Sequence, residues 1–251
     1  MILTCLDSLA DSLQEWCLHA HVQVTLNIQE PELAQCLSCR NWPFSLSVST
    51  NRRPLGFGAN HNQAFTRAID EEDCDWFVVM NPDIYWPADA DAFWRKLHAR
   101  DTPPSVGLVC PEQLDIRGNK QDFARRLQPP WMLLNRVWRR WRGLQPSDVV
   151  TSVANADWVN GACMVLQAKA FADMGGFDER FFMYCEDTEL CLRLKLAGWQ
   201  MQAGGISVIH DAQRHSHLYA CHLLWHITSL LRLWTSASYW RYLIHANHYK
   251  N

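Results

Sequence analysis

The run Trp76-Phe-Val-Val-Met80 constrains the fold more than any other stretch, because five apolar residues follow one another without alternation and are closed by Asn81-Pro82-Asp83. A strand with one wet face alternates, so an unbroken apolar strand needs cover on both sides, as a buried parallel strand in an α/β sheet has. The flanking sequence supplies that context. Ile2, Leu6, Leu9, Leu13 and Trp16 recur at helical spacing, and 22–28 alternates as a strand. A second strand at 44–49, a helix at 59–69, a helix at 90–99 and a strand at 106–110 follow. Strands alternating with helices predict an open sheet with helices packed on it, and such sheets bind ligands at the carboxyl ends of their strands. The loop from Asn51 to Gly58 and the acid Asp83 both fall at such ends.

Composition narrows the class. At 251 residues, 48% hydrophobic and 20% charged, the chain can bury a sizeable core. With 23 basic against 26 acidic residues the net charge is -3, which argues against nucleic acid as a partner. Ten cysteines are scattered through apparent core segments and nothing at the N-terminus reads as a secretory signal, so reduced thiols and a cytoplasmic setting are expected. Cys36-x-x-Cys39 has no second pair or histidine cluster to complete a zinc site, and it reads as two unconnected thiols.

The stretch 161–199 carries the chemistry. It holds an apolar strand, the double glycine Gly175-Gly176, an aromatic cluster from Phe181 to Tyr184, and the adjacent acids Glu186 and Asp187 opening a helix. By residue type alone these acids suit two roles equally: a helix first turn, with Glu189, stabilised by the helix dipole, or a carboxylate that accepts a proton.

The run G-A-C-M followed by G-G-F-D-E-x-F-F-M-Y-x-E-D-x-E-L-C-x-R closely resembles the acceptor-side motif of family 2 inverting GT-A glycosyltransferases, especially rhamnosyltransferase-like members. The likeness runs from Val22 to His210 and leaves 125–153 largely unmatched. It implies an α/β GT-A open mixed sheet flanked by helices over 1–210, with 125–153 as a basic, Trp-containing insertion and 211–251 as a helical C-terminal extension. In the resembled family the chain begins with a central strand, whereas here it begins with the helix expected after it. An upstream start or a truncated form is therefore expected.

The resemblance also assigns roles. Asp187, with Glu186 beside it, maps onto the general base. Asn81-Pro82-Asp83 is similar to the family's Asp-x-Asp metal motif, so Asp83, completed by His210, is expected to hold Mg2+ or Mn2+. Asn27, Gly56, Gly58, Asn62, Asn81 and Asp83 fall where the nucleotide-sugar donor would lie, with the two glycines letting backbone amides approach phosphate or ribose. Asn27 departs from the aspartate that the family often places against the base. Trp158, Gly161, Phe182 and Tyr184 are expected on the acceptor side, with Arg193 bracing the acid pair. The implied reaction moves a sugar, L-rhamnose being favoured, from a nucleotide-diphosphate donor to a glycan or lipid-linked acceptor in cell-surface polysaccharide biosynthesis. Two other readings are a sugar-nucleotide nucleotidyltransferase, whose usual glycine-rich basic loop this chain lacks, and an inactive membrane-associated relative that binds glycans.

The segment 125–142 has six arginines and no acids, interleaved with Trp131, Trp138 and Trp141. Cations with indoles suit an anionic membrane surface, so peripheral contact at the inner membrane face is expected there. A solvated basic helix packed by its tryptophans is the plainer account. The tail from His217 is helical in pattern but too interrupted to span a bilayer, which leaves packing on the domain or lying on a membrane both open.

Overall fold

The computed structural model describes residues 1–71, 74–132, 138–139, 141–144, 150, 152–212 and 220–248. Residues 133–137 and 140 of the basic segment, and 217–219 of the tail, lie outside the described residues. Helix α1 (Ile2–Leu13) buries Cys5, Leu6, Leu9 and Leu13, the stripe its spacing predicts. A short 3-10 turn (Gln14–His19) leads to β1 (His21–Leu26), α2 (Pro31–Cys39), β2 (Ser45–Thr50) and α3 (Phe57–Glu71). Then come β3 (Trp76–Met80), β4 (Ile84–Tyr85), α4 (Asp91–His98), β5 (Val106–Leu114) and β6 (Ala124–Arg125). The second half holds β7 (Trp158–Val159), β8 (Cys163–Gln167), α5 (Ala168–Asp173), α6 (Glu186–Leu196), β9 (Gln200–His210), α7 (Ala220–Trp234) and α8 (Ala237–His248).

The central sheet is mixed, in the order β3-β8-β5-β9-β4. Only β5 and β9 run parallel in it, and the remaining pairs are antiparallel. The parallel strand expected at 76–80 is therefore antiparallel to β8, with Met80 opposite Cys163. Its apolar run reflects two-sided burial rather than strand direction. Trp76, Val78 and Met80 pack into one core cluster, while Phe77 and Val79 pack into the cluster on the other face. Residues 200–210 are one strand, β9, interrupted by a bulge. Cys110 faces Ala203 and Glu112 faces Ser207, so 204–206 bulge opposite Pro111 alone, and Gly205 adopts φ +69° in that bulge.

Strands β1 and β2 form a separate parallel pair, His21 facing Ser45. Among the described residues no ladder joins β1 to β3, so the sheet is interrupted there, and side chains of α1, α2, β1 and β3 fill the region between. A third cluster joins Phe181 and Leu192 to Leu127 and to Leu233 and Tyr239 of the two last helices. Among the described residues, no helix is long and apolar enough to cross a membrane.

Candidate active site

Asn81-Pro82-Asp83-Ile84 is a β-turn, closed by Ile84 N–H donating to Asn81 C=O at 3.2 Å, with proline at the position whose φ it pre-sets. The turn feeds β4, which pairs antiparallel with the end of β9 so that Ile84 faces His210. The pairing brings Asp83 Oδ1 to 3.7 Å from His210 Nε2. Asp83 Oδ1 is buried and has no hydrogen-bond partner. Burial pushes the Asp83 carboxyl above its usual range, although the His210 ring opposes this, and burial pushes the His210 imidazolium below its usual value.

His210 is itself held. Its Nδ1 lies 3.0 Å from Gln121 Oε1, and Gln121 Nε2 donates to the His210 carbonyl at 2.6 Å. An amide oxygen can only accept, so Nδ1 carries the proton and the Nε2 lone pair faces Asp83. An orphaned buried carboxylate oxygen facing an imidazole lone pair, farther apart than a hydrogen bond, is a donor set that could serve a divalent cation. Among the described residues no group of three or more His, Cys, Asp or Glu side chains is placed to hold a metal ion. Gln121 went unnoticed at the sequence level, since a lone glutamine in a loop carries no pattern.

The two acids at the start of α6 differ in surroundings. Glu186 is 5% exposed and its Oε2 has no partner; burial, then the neighbouring Asp187 charge, push its pKa up to about 8. Asp187 is partly exposed and both its oxygens are held: Oδ2 accepts from Gly161 N–H at 2.9 Å, and Oδ1 accepts from Thr188 N–H at 2.6 Å and from the Thr188 hydroxyl at 3.3 Å. Burial raises its pKa while these hydrogen bonds restrain the rise. An oriented, accessible carboxylate of raised basicity fits a proton acceptor, and Glu186, buried and protonated near neutrality, does not.

One chain of contacts links the two halves. Asn81 N–H donates to Ala162 C=O at 2.9 Å, and the adjacent residue, Gly161, holds Asp187. The Asp83 turn and Asp187 therefore sit at the same end of neighbouring strands β3 and β8.

Four of the residues expected near the donor, Asn27, Gly56, Gly58 and Asn62, are engaged in contacts within the protein. Gly56 and Gly58 do not open space for phosphate: a Cβ on Gly56 would lie 2.7 Å from Phe182 O, and one on Gly58 would lie 2.6 Å from Phe177 Cβ. They let the start of α3 pack directly on the 177–182 loop, and Phe57 N–H donates to Phe182 C=O at 2.8 Å. Asn62 is likewise committed to that loop, accepting from Phe177 N–H at 2.8 Å and donating to Phe177 C=O at 2.9 Å. Asn27 clamps Leu55 by both amide atoms, donating to its C=O at 2.9 Å and accepting from its N–H at 2.8 Å. An aspartate could not make the first of these bonds, which accounts physically for the asparagine.

On the acceptor side, Gly161 serves Asp187 through its N–H, and the space beside its Cα is filled by the Phe57 ring, 3.2 Å from where a Cβ would stand. Arg193 does not brace Glu186 and Asp187. Its guanidinium pairs with Glu189 at 2.7 Å, one helical turn away, and donates to the carbonyls of Met174 and Gly176, fixing the double-glycine turn. Trp158 is partly buried beneath the Arg125 guanidinium. Phe182 packs on Trp225 with ring centroids 4.9 Å apart, and Tyr184 Oη lies 2.9 Å from His222 Nδ1. Tyr184 and Cys185 both take left-handed φ, 73° and 66°, just before α6. Two consecutive non-glycine residues there cost about 1–2 kcal/mol each, and α7 holds them in place, with Ser229 Oγ donating to Met183 C=O at 2.8 Å. The spacing 222, 225, 229, 233 is helical and could have revealed this inner face of the tail.

No family model matches the chain. It is 32% identical over 173 residues to N-acetylglucosaminyl-diphospho-decaprenol L-rhamnosyltransferase of Mycobacterium tuberculosis, a match covering 59% of this chain. The chain spans about half, 52%, of that relative's length. It is 28% identical over 186 residues to rhamnosyltransferase WbbL of Escherichia coli K12, covering 70% of this chain and 69% of that protein. Two solved structures share the fold. Mannosyltransferase PcManGT from Pyrobaculum calidifontis, in complex with GDP-Man and Mn2+, matches at TM-score 0.54 and 15% identity, over 92% of this chain and 60% of its own. TarS of S. aureus matches at TM-score 0.55 and 15% identity, over 89% of this chain and 61% of its own. In sequence the chain is thus similar to rhamnosyltransferases, and in fold it is similar to the two solved structures.

Proposed function

We propose that this chain transfers a sugar, L-rhamnose in the favoured case, from a nucleoside-diphosphate donor to a hydroxyl of a glycan or lipid-linked acceptor, with inversion, in cell-surface polysaccharide biosynthesis. The observation that carries this reading is the hydrogen-bonded path from the Asp83 turn through Ala162 and Gly161 to Asp187. Asp83, His210 and Asp187 lie along it at one end of the sheet, and this supports their reading as a cation pair and a proton acceptor, since open α/β sheets bind ligands at strand ends. The names of the mycobacterial and E. coli relatives support rhamnose, and the former supports a lipid-linked acceptor. The Arg- and Trp-rich segment 125–142 supports work at the inner membrane face from the cytoplasmic side.

Asp83 and His210 would hold Mg2+ or Mn2+, which when bound neutralises charge gathering on the departing diphosphate. Gln121 keeps the His210 lone pair aimed at that position. Asp187, aligned by Gly161 and Thr188, takes the proton of the acceptor hydroxyl as its oxygen attacks the anomeric carbon. Phe182 and Tyr184, fixed by Trp225 and His222, offer apolar surface beside that carboxylate for the sugar ring.

The test is Asp187→Asn in a purified transfer assay with dTDP-rhamnose and a lipid-linked N-acetylglucosamine acceptor. Turnover is expected to fall by about 10²–10⁴-fold with nucleoside-diphosphate affinity retained. Full transfer by the variant would refute the assignment.

A further inference from the structure

Gln113 is 0% exposed in β5, a strand whose other buried residues are apolar or glycine. A primary amide costs free energy to bury unless its hydrogen bonds are made, and an apolar side chain would fill the same space without that requirement. Here both amide atoms are engaged by one partner. Gln113 Nε2 donates to Asn160 Oδ1 at 2.7 Å, and Asn160 Nδ2 donates to Gln113 Oε1 at 3.0 Å. Ala162 N–H also donates to Asn160 Oδ1, at 3.3 Å. An N–H can only donate, so this third bond fixes which Asn160 atom is the oxygen. Two reciprocal bonds define an angle as well as a distance, which packing of apolar side chains would not do.

The pair holds the turn 160–162 between β7 and β8, and each residue of that turn is bonded in a different direction. Asn160 reaches β5 through its side chain and Phe123 C=O through its N–H, at 2.9 Å. Gly161 N–H donates to Asp187 Oδ2. Ala162 C=O accepts from Asn81 N–H, at the head of the Asp83 turn. The anchor is firm, because β5 is paired to β8 on one side and to β9 on the other. The main chain of Gln113 has a further use. Its C=O accepts from Gln121 N–H at 2.8 Å, and Gln121 holds the His210 ring. A single buried residue is thus bonded both to the turn that orients Asp187 and to the residue that orients His210.

We propose that Gln113 and Asn160 are positioning residues for transfer: their reciprocal amide pair fixes the turn so that Gly161 N–H keeps the Asp187 carboxylate in one orientation. The bearing on transfer rests on the transferase reading, whereas the hold on Gly161 does not.

The experiment has two readouts. Native-state hydrogen exchange by NMR follows the Gly161 amide against that of Val165, which lies in β8 and is paired on both sides. In Gln113→Leu the ratio of Gly161 to Val165 exchange rates is expected to rise about tenfold, and a ratio that does not rise overturns the proposal. Transfer is then measured with dTDP-rhamnose and the lipid-linked acceptor. Gln113→Leu should lower kcat by about 10–100-fold, with the donor KM near that of wild type. Added to Asp187→Asn it should cost little more, because a positioning residue acts through the group it positions. A loss that multiplies overturns the proposal. Gln113→Glu keeps the side-chain size, and a carboxyl protonated by burial donates once and accepts once, as the amide does toward Asn160. It should recover most of both readouts at about pH 6, and equal damage by Glu and Leu would show that the pairing is not what matters. If the wild type transfers no sugar, the transferase reading and the role in transfer fall together, while the exchange ratio still decides whether the pair holds Gly161.

Discussion

Glu186 and Asp187 are neighbours in sequence, yet both Asp187 oxygens accept hydrogen bonds while Glu186 Oε2 is buried without a partner. Glu186, raised from 4.5 to about 8, keeps its proton in the folded chain across a window in which the unfolded chain has lost it. The folded state binds more protons there, so stability falls as pH rises from about 5 to about 8. Glu186→Gln removes the titration. Its melting temperature should exceed that of wild type above about pH 8 and match it near pH 5, as differential scanning calorimetry across that range would show; a parallel decline in both proteins would contradict the assignment. The other residue that repays attention is Gln121. Gln121→Ala frees the His210 ring to rotate, and Mn2+ affinity read by electron paramagnetic resonance is expected to drop about 10–100-fold, with the fold intact. The motif at 186–187 was plain in the sequence because its order is long and specific. Gln121 and the Asn27 clamp were not, since both act through tertiary contacts made across 89 and 28 residues.

At the scale of elements, local patterns located α1, α3, α4, α6 and most of the longer strands, but they did not show α2, α5 or the two-residue strands β4, β6 and β7, nor strand direction or the purpose of the glycines. Apolar runs report burial, and burial is the same for a parallel or an antiparallel strand between two layers, as β3 demonstrates. Likewise Gly56 and Gly58 suggested a phosphate loop because glycine marks close approach; what approaches is the 177–182 backbone and Phe177. This has a measurable sign. Alanine normally stabilises a helix over glycine by about 1 kcal/mol, and Gly58 lies in the first turn of α3. Its Cβ would meet Phe177 Cβ at 2.6 Å, an atom fixed to backbone that cannot swing aside. Gly58→Ala should therefore destabilise, by about 1–3 kcal/mol, in urea unfolding, and a gain would show that the 177–182 loop yields freely.

The whole molecule is held together unevenly. The five-stranded sheet is tied by ladders through β8 and β5, whereas β1 and β2 are bonded only to each other among the described strands. What fastens that pair to the rest is packing in the first core cluster, through Val24, Leu26, Leu37 and Phe44, and the Asn27 amide on Leu55. Side-chain packing can loosen in steps, while a central strand cannot leave a ladder without breaking bonds on both edges. Local opening should follow the same division. In native-state hydrogen exchange the amides of His21–Leu26 and Ser45–Thr50 are expected to open at a lower free energy than those of Cys163–Gln167, which is paired on both sides. Because the Asp83 turn and His210 stand on the ladder-tied part and Gly161, beside β8, holds Asp187, the proposed proton acceptor and cation pair would keep their geometry while the loop beyond β2 opens and closes. Equal protection across both sheets would mean that packing alone binds β1 and β2 as firmly as a ladder, and the loop would then need another hinge.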